Sequence, residues 1–274
     1  MSKRYDAYKV VPYSKLRRGL AITMRSAKRK SNIYGLFEVD VTKARQYLRE
    51  HKAQTGESLS FTAFIISCLA RAVDENKAVH AWHKGRKQLA IFEEVDISTS
   101  IERDLSDQKQ PFVYIIRAAN KKSFLEIHQE IRHAQVEAVE KVREGWGFTF
   151  MPLLVFRFFW PIFWWLMGRS PRIQKNYGGT VGVTSVGMFG KGAGWGIPIN
   201  EHTLDLTLGG VVEKPGVVDG QIVIREYLCI TMSFDHDLID GAPAAPFTRQ
   251  LKELIENGYG LPKSEDVYAN SSHS

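Results

Sequence analysis

The chain has 274 residues, 44% hydrophobic and 24% charged, with a formal net charge of +7. These proportions fit a globular protein that buries a core of its own. Its two cysteines, Cys68 and Cys229, form no Cys-x-x-Cys pair, which argues against a disulfide framework or a structural zinc site and favours buried, inert thiols.

The segment 1–12 lacks the basic start and apolar middle of a secretory leader, so a cytoplasmic setting is expected. Residues 16–30 place Leu16, Leu20 and Met24 at helical spacing among Arg17, Arg18, Arg25, Lys28, Arg29 and Lys30. This basic run suits a polyanion, but a solvated helix face is the simpler reading, and nucleic acid is not expected because no recognition signature accompanies the charge. Residues 34–40 predict a strand. A helix follows over 43–54, capped by Asp40 or Thr42 and stopped at Gly56. Ser60 caps a further, apolar helix over 61–76. Residues 89–101 and 112–117 are β-like, and Ser123 opens an amphipathic helix to about 143. Residues 180–186, 205–212 and 221–234 predict strands, with Asp219-Gly220 as a hairpin turn and a closing helix over 242–258. A sheet with helices packed on it, a mixed α/β (α+β) two-layer sandwich, is the expected architecture. The expected organisation is an N-terminal extension over 1–13, one domain over 14–258 and a polar tail over 259–274.

Residues 148–167 break this pattern, being almost wholly apolar and rich in Phe and Trp. The stretch is long enough to span a bilayer. Arg157 near its middle opposes that at about 2.5–3.5 kcal/mol, and Pro152 and Pro161 interrupt a helix. A contact with a membrane surface, another subunit or a long ligand stays open.

Two runs carry groups suited to chemistry. His236 follows a strand and stands among Asp235, Asp237 and Asp240, ahead of Gly241. A neighbouring carboxylate orients an imidazole, and an imidazole accepts a proton near neutral pH; the same spacing also suits a histidine bonded within an Asp-rich turn. Residues 178–190 form a β-run ending in a Gly-rich turn, where Thr184 and Ser185 can present hydroxyls and Gly187 allows close backbone approach. Such a hydroxyl can meet a developing oxyanion. A Gly-x-Ser-x-Gly elbow is missing, so a serine hydrolase is a weak reading. No metal site is expected.

Together, His236-Asp237-Leu238-Ile239-Asp240-Gly241 and Thr184-Ser185-Val186-Gly187-Met188-Phe189-Gly190 resemble the catalytic domain of the 2-oxoacid dehydrogenase acyltransferases (dihydrolipoyl acyltransferases), whose His-x-x-x-Asp-Gly motif and fold are shared with chloramphenicol acetyltransferase. Leu59-Ser60-Phe61-Thr62-Ala63-Phe64 and the run 116–123 add weaker matches, and the resemblance covers about 14–257. It implies a coenzyme-A-dependent acyltransferase with His236 as general base, Thr184 as oxyanion donor and Asp240 as orienting carboxylate paired with Arg17 or Arg18. Ser185, Gly187 and these arginines would line the substrate site. It also implies a homotrimer with the site between subunits, and acyl-coenzyme A as substrate. Departures from the family are Thr184 in place of the usual Ser, Asp237 after the histidine, the apolar segment 148–167, and an expected absence of a lipoyl domain and of a bound lipoyl group. A non-catalytic or membrane-peripheral scaffold of the same fold and a small-molecule O-acetyltransferase are the alternatives.

Overall fold

The computed structural model describes residues 9–12, 24, 30–85, 87–105, 108–136, 166, 169–186 and 192–262. In chain order the elements are β1 (Asn32–Asp40), α1 (Thr42–Thr55), α2 (Phe61–Glu75), β2 (Trp82–Lys84), β3 (Gln88–Ala90), β4 (Ile97–Leu105), β5 (Gln108–Ile116), α3 (Phe124–Val136), α4 (Pro171–Gly178), β6 (Val181–Ser185), β7 (Leu204–Val218), β8 (Gln221–Asp235) and α5 (Gly241–Asn257). Six strands form one mixed sheet in the order β1-β8-β7-β6-β4-β5, and β2 pairs with β3 apart from it. The expected α/β architecture is the one observed. The apolar segment 148–167 lies outside the described residues apart from Leu166, as do Arg17, Arg18, Gly187 and the tail beyond 262. No helix among the described residues is long and apolar enough to cross a membrane.

Local chemistry sets most boundaries. Ser60 accepts a bond from the Ala63 amide at 3.2 Å and opens α2. Ser123 and Glu126 form a reciprocal capping box ahead of α3: the Glu126 carboxylate takes the Ser123 amide at 2.7 Å, and Ser123 Oγ takes the Glu126 amide at 3.3 Å. Gly56 and Gly258 end α1 and α5 in the left-handed region. Asp219 and Gly220 both take positive φ, as a two-residue hairpin between right-twisted strands requires. One expected cap is corrected. Val41 is the N-cap of α1 and makes no side-chain bond there, while the Asp40 carboxylate takes the Thr42 amide at 2.9 Å from one residue further back.

The sheet has two unlike faces. Leu228, Ile230, Met232 and Phe234 of β8, Leu204, Leu206 and Leu208 of β7, and Val181 and Val183 of β6 are all buried on one side, as a period of two dictates. Helix α3 packs on β4 and β5, α5 packs on β1, and α2 lies between α3 and α5. Both cysteines are free and buried, and burial pushes the Cys68 thiol well up. The other face carries Thr184, Asp205, Thr207, Thr231, Ser233 and Asp235, and residues 193–203 cross it. Tyr34 Oη donates to Pro198 O at 3.3 Å and Gly210 N to Gly194 O at 2.9 Å. Gly209 and Gly210 are required here, because a Cβ on either would strike the carbonyl of Gly194 or Gly192.

A buried polar frame joins β4 to β6. His80 is fully buried, with Nε2 donating to Phe92 O at 3.1 Å and Nδ1 3.1 Å from Thr180 Oγ1. Burial drives its pKa down to about 4, against the bond to Phe92 O. The unfolded chain therefore binds this proton below about 6.5, while the folded chain resists it until about 4, so the stability is present above pH 6.5 and lost as pH falls. His80→Gln keeps a donor for Phe92 O without the titration. The parent's advantage over this variant, measured by urea unfolding, is expected to shrink by up to about 3 kcal/mol between pH 7 and pH 4. An advantage that stays constant over that range would show that His80 does not carry this acid sensitivity.

Candidate active site

Strand β8 ends at Asp235, and the next residues make a tight turn into α5. Asp235 builds that turn. Its Oδ1 accepts the Asp237 amide at 3.2 Å, and its carbonyl accepts the amides of Leu238 and Ile239, both at 3.0 Å. The Asp235 amide donates to Thr203 O at 2.9 Å, and the His236 amide to Ser31 O at 2.6 Å. The backbone of His236 is thus pinned between the start of β1 and the loop before β7, while its side chain stays 48% exposed.

Of the three aspartates around His236, Asp240 is the one beside its ring. Asp240 Oδ1 lies 3.7 Å from His236 Nε2, beyond hydrogen-bond length, and the carboxylate is 77% exposed at the N-cap of α5. Asp235 points away into the protein and is buried, 3.5 Å from Lys30 Nζ.

Thr184 and Ser185 are exposed neighbours at the end of β6. Thr184 pairs with Thr207 of β7, which pairs with Thr231 of β8, five residues before His236 (236 − 231). At about 3.3 Å per residue that is about 16 Å along the sheet, with two spacings of about 4.8 Å across it, so Thr184 and His236 stand roughly 19 Å apart in one chain. The fold brings His236 and Asp240 together and sets Thr184 and Ser185 at the far end of the sheet. A base and an oxyanion donor must both come within hydrogen-bond reach of one reacting centre, and across about 19 Å these two cannot do so within a single chain.

Behind the turn lies a charge cluster that the sequence does not announce. Lys30 Nζ donates to Glu201 O at 3.1 Å and to His202 O at 2.8 Å, faces Asp235, and lies 4.5 Å from the centre of the Trp82 ring. This corrects the solvated-helix reading at Lys30, which is a bend residue turned inward. Burial pulls its pKa down, against Asp235 and Asp205. His202 Nδ1 faces Asp205 Oδ1 at 2.7 Å and Nε2 faces Gly178 O at 2.7 Å. Both partners only accept, so both ring nitrogens carry protons and His202 is an imidazolium. Its pKa is accordingly raised: burial opposes the charge, and Asp205 outweighs it. Gly182 has no room for a side chain, since a Cβ would meet Asp205 Oδ1 and His202 Nδ1. His202 and Asp205 stand three residues apart, the one signal in the sequence that could have marked the pair.

Comparison with known proteins agrees with this fold. The sequence profile of the 2-oxoacid dehydrogenases acyltransferase (catalytic domain) matches residues 5–145 and 169–261. The chain belongs to the family of 2-oxoacid dehydrogenase acyltransferase catalytic domains. It is similar to the lipoamide acyltransferase component of the branched-chain alpha-keto acid dehydrogenase complex of Bacillus subtilis, with 25% identity over 255 residues, covering 91% of this chain and 52% of that protein. The chain therefore spans about half the length of such a curated relative. Among solved structures, a probable dihydrolipoamide acetyltransferase from Listeria monocytogenes is 25% identical with a TM-score of 0.68, covering 92% of this chain and 95% of that one. Chloramphenicol acetyltransferase, 14% identical with a TM-score of 0.50 over 90% of this chain and 99% of its own, shares the fold.

Proposed function

We propose that this chain is a coenzyme-A-dependent acyltransferase that moves an acyl group between thioesters, with His236 as general base. The observation that carries the reading is the placement of an accessible imidazole beside Asp240 at one end of the sheet and an accessible hydroxyl, Thr184, at the other. A trimer of this chain would bring the two ends of neighbouring protomers together and complete a site that one protomer lacks. Relatives named for lipoamide and dihydrolipoyl transfer suggest a dihydrolipoyl thiol as the second acyl carrier.

The chemistry follows from the residues. His236 takes the proton of a thiol, and the thiolate attacks the thioester carbonyl. The oxygen of the tetrahedral intermediate becomes an oxyanion, to which Thr184 Oγ1 of the neighbouring protomer donates, worth about 3 kcal/mol for one such donor. Collapse breaks the original carbon–sulfur bond, and the departing thiolate takes the proton back from the imidazolium. Asp240, 3.7 Å from the ring, favours that imidazolium electrostatically. Arg17 and Arg18 are proposed as the counter-charges of Asp240, and Ser185 and Gly187 as lining of the entrance.

Purified protein is expected to release free coenzyme A from acetyl-, succinyl- or branched-chain acyl-coenzyme A when given dihydrolipoamide, followed by chromatography. Release dependent on a hydroxyl acceptor alone would point to an O-acetyltransferase, and no release with either acceptor class would defeat the enzymatic reading.

A further inference from the structure

We propose that Lys30 is a positioning residue for His236, acting through Asp235 as a clamp and counter-charge behind the catalytic turn. This deepens the reading of His236 as the base and rests on it.

The geometry is a three-way tie. An ammonium has three N–H donors, and Lys30 has three acceptors within reach: Glu201 O at 3.1 Å, His202 O at 2.8 Å and the Asp235 carboxylate at 3.5 Å. Each belongs to a segment that frames His236. Asp235 shapes the turn through its own carboxylate and carbonyl. The residue after His202, Thr203, takes the Asp235 amide, and the residue after Lys30, Ser31, takes the His236 amide. Lys30 thereby joins the start of β1, the end of β8 and the loop before β7 at one nitrogen. The Trp82 ring, 4.5 Å away and itself buried, closes the remaining side. Such a tie holds the imidazole in place, and a displacement near 1 Å is enough to cost about 100-fold in rate.

The charge matters as well as the bonds. Among the described residues, the ionisable groups near the turn are Asp235, Asp237 and Asp240 around the histidine and Glu201, His202 and Asp205 from the loop side. His202 and Asp205 compensate each other. Asp235 is buried one residue from the base, and Lys30 is its cation. With Lys30 neutral, an uncompensated carboxylate sits behind the imidazole and favours its protonated form. The base is then occupied at pH values where the parent works.

Lys30→Gln keeps two N–H donors for the loop carbonyls and removes the charge. Rate profiles over pH 5.5–9 are expected to show kcat down about 10- to 100-fold with KM within about twofold, and the acid limb moved up by about one pH unit. Adding Asp235→Asn removes the unpaired carboxylate, so the limb is expected to return toward the parent's while kcat stays low. Should Lys30→Gln alone not fold, the double variant, which buries no unpaired charge, decides through its kcat. A parent-like kcat and limb in Lys30→Gln, or a parent-like kcat in the double variant, overturns the clamp while leaving an inactive His236→Ala to uphold the base. A fully active His236→Ala overturns both.

Discussion

Replacing His236 by alanine is expected to lower kcat for acyl exchange by about 100- to 10,000-fold, the range for removing a positioned general base, with little change in thermal stability. The second half of that expectation follows from how the residue is held. The imidazole is half exposed, and Asp240 approaches it no closer than 3.7 Å. What secures residue 236 is its amide, donated to Ser31 O at 2.6 Å, and alanine keeps that bond. The turn is built by Asp235, which the substitution does not touch. A loss of rate accompanied by a loss of several degrees in melting temperature would therefore indicate a damaged turn. An alanine variant that exchanges acyl groups as fast as the parent would remove His236 from the chemistry altogether. Binding of acyl-coenzyme A, followed by calorimetry, is expected to survive the substitution, because the base acts on the thiol proton and KM is largely set elsewhere.

How much of this could be seen in the sequence depends on the reach of each interaction. The capping serines, the glycines at positive φ and the Asp219-Gly220 hairpin act over two to four residues, and they mark α1, α2, the start of α3, α5 and the β7–β8 turn within a residue or two, while the expected end of α3 near 143 lies outside the described residues. Other local signals are too short to stand out. Ser170 caps α4 with Pro171 in its first turn, but eight residues carry too little apolar period to stand out beside the apolar segment ahead of it. Strand β2 has three residues and no period to detect. Strand β7 was expected to end at Val212 and runs to Val218, through Pro215, as the outer part of a long hairpin beyond its pairing with β6. The site divides in the same way. The His236–Asp240 pair is four residues apart and could be read directly. Lys30 could not: a lysine closing a basic run is ordinarily solvated, and the partners that bury it lie 171 and 172 residues away at Glu201 and His202, with Asp235 further still.

The second large effect is a recovery of activity that neither parent variant has. Thr184→Val removes the hydroxyl but keeps the β-branched shape that suits a strand, and it is expected to cost about 100- to 1,000-fold in kcat, as for one oxyanion donor. His236→Ala is expected to be at least as poor. If each site takes its histidine from one protomer and its hydroxyl from the next, a trimer containing both variants holds one interface at which both groups are native. Purification through both tags leaves only mixed rings, each with one good site in three, so about a third of parental activity should return. The roughly 19 Å between Thr184 and His236 within one chain is the physical reason to expect it, since no rearrangement of side chains covers two strand spacings and five residues of β8. The experiment is co-expression of the two variants with different affinity tags, purification through both, and the acyl exchange assay. Separately purified variants mixed without subunit exchange serve as the baseline. Doubly tagged protein no more active than that baseline would mean that Thr184 and His236 do not share a site across subunits, and the oxyanion donor would have to be sought among groups nearer to His236 in its own chain.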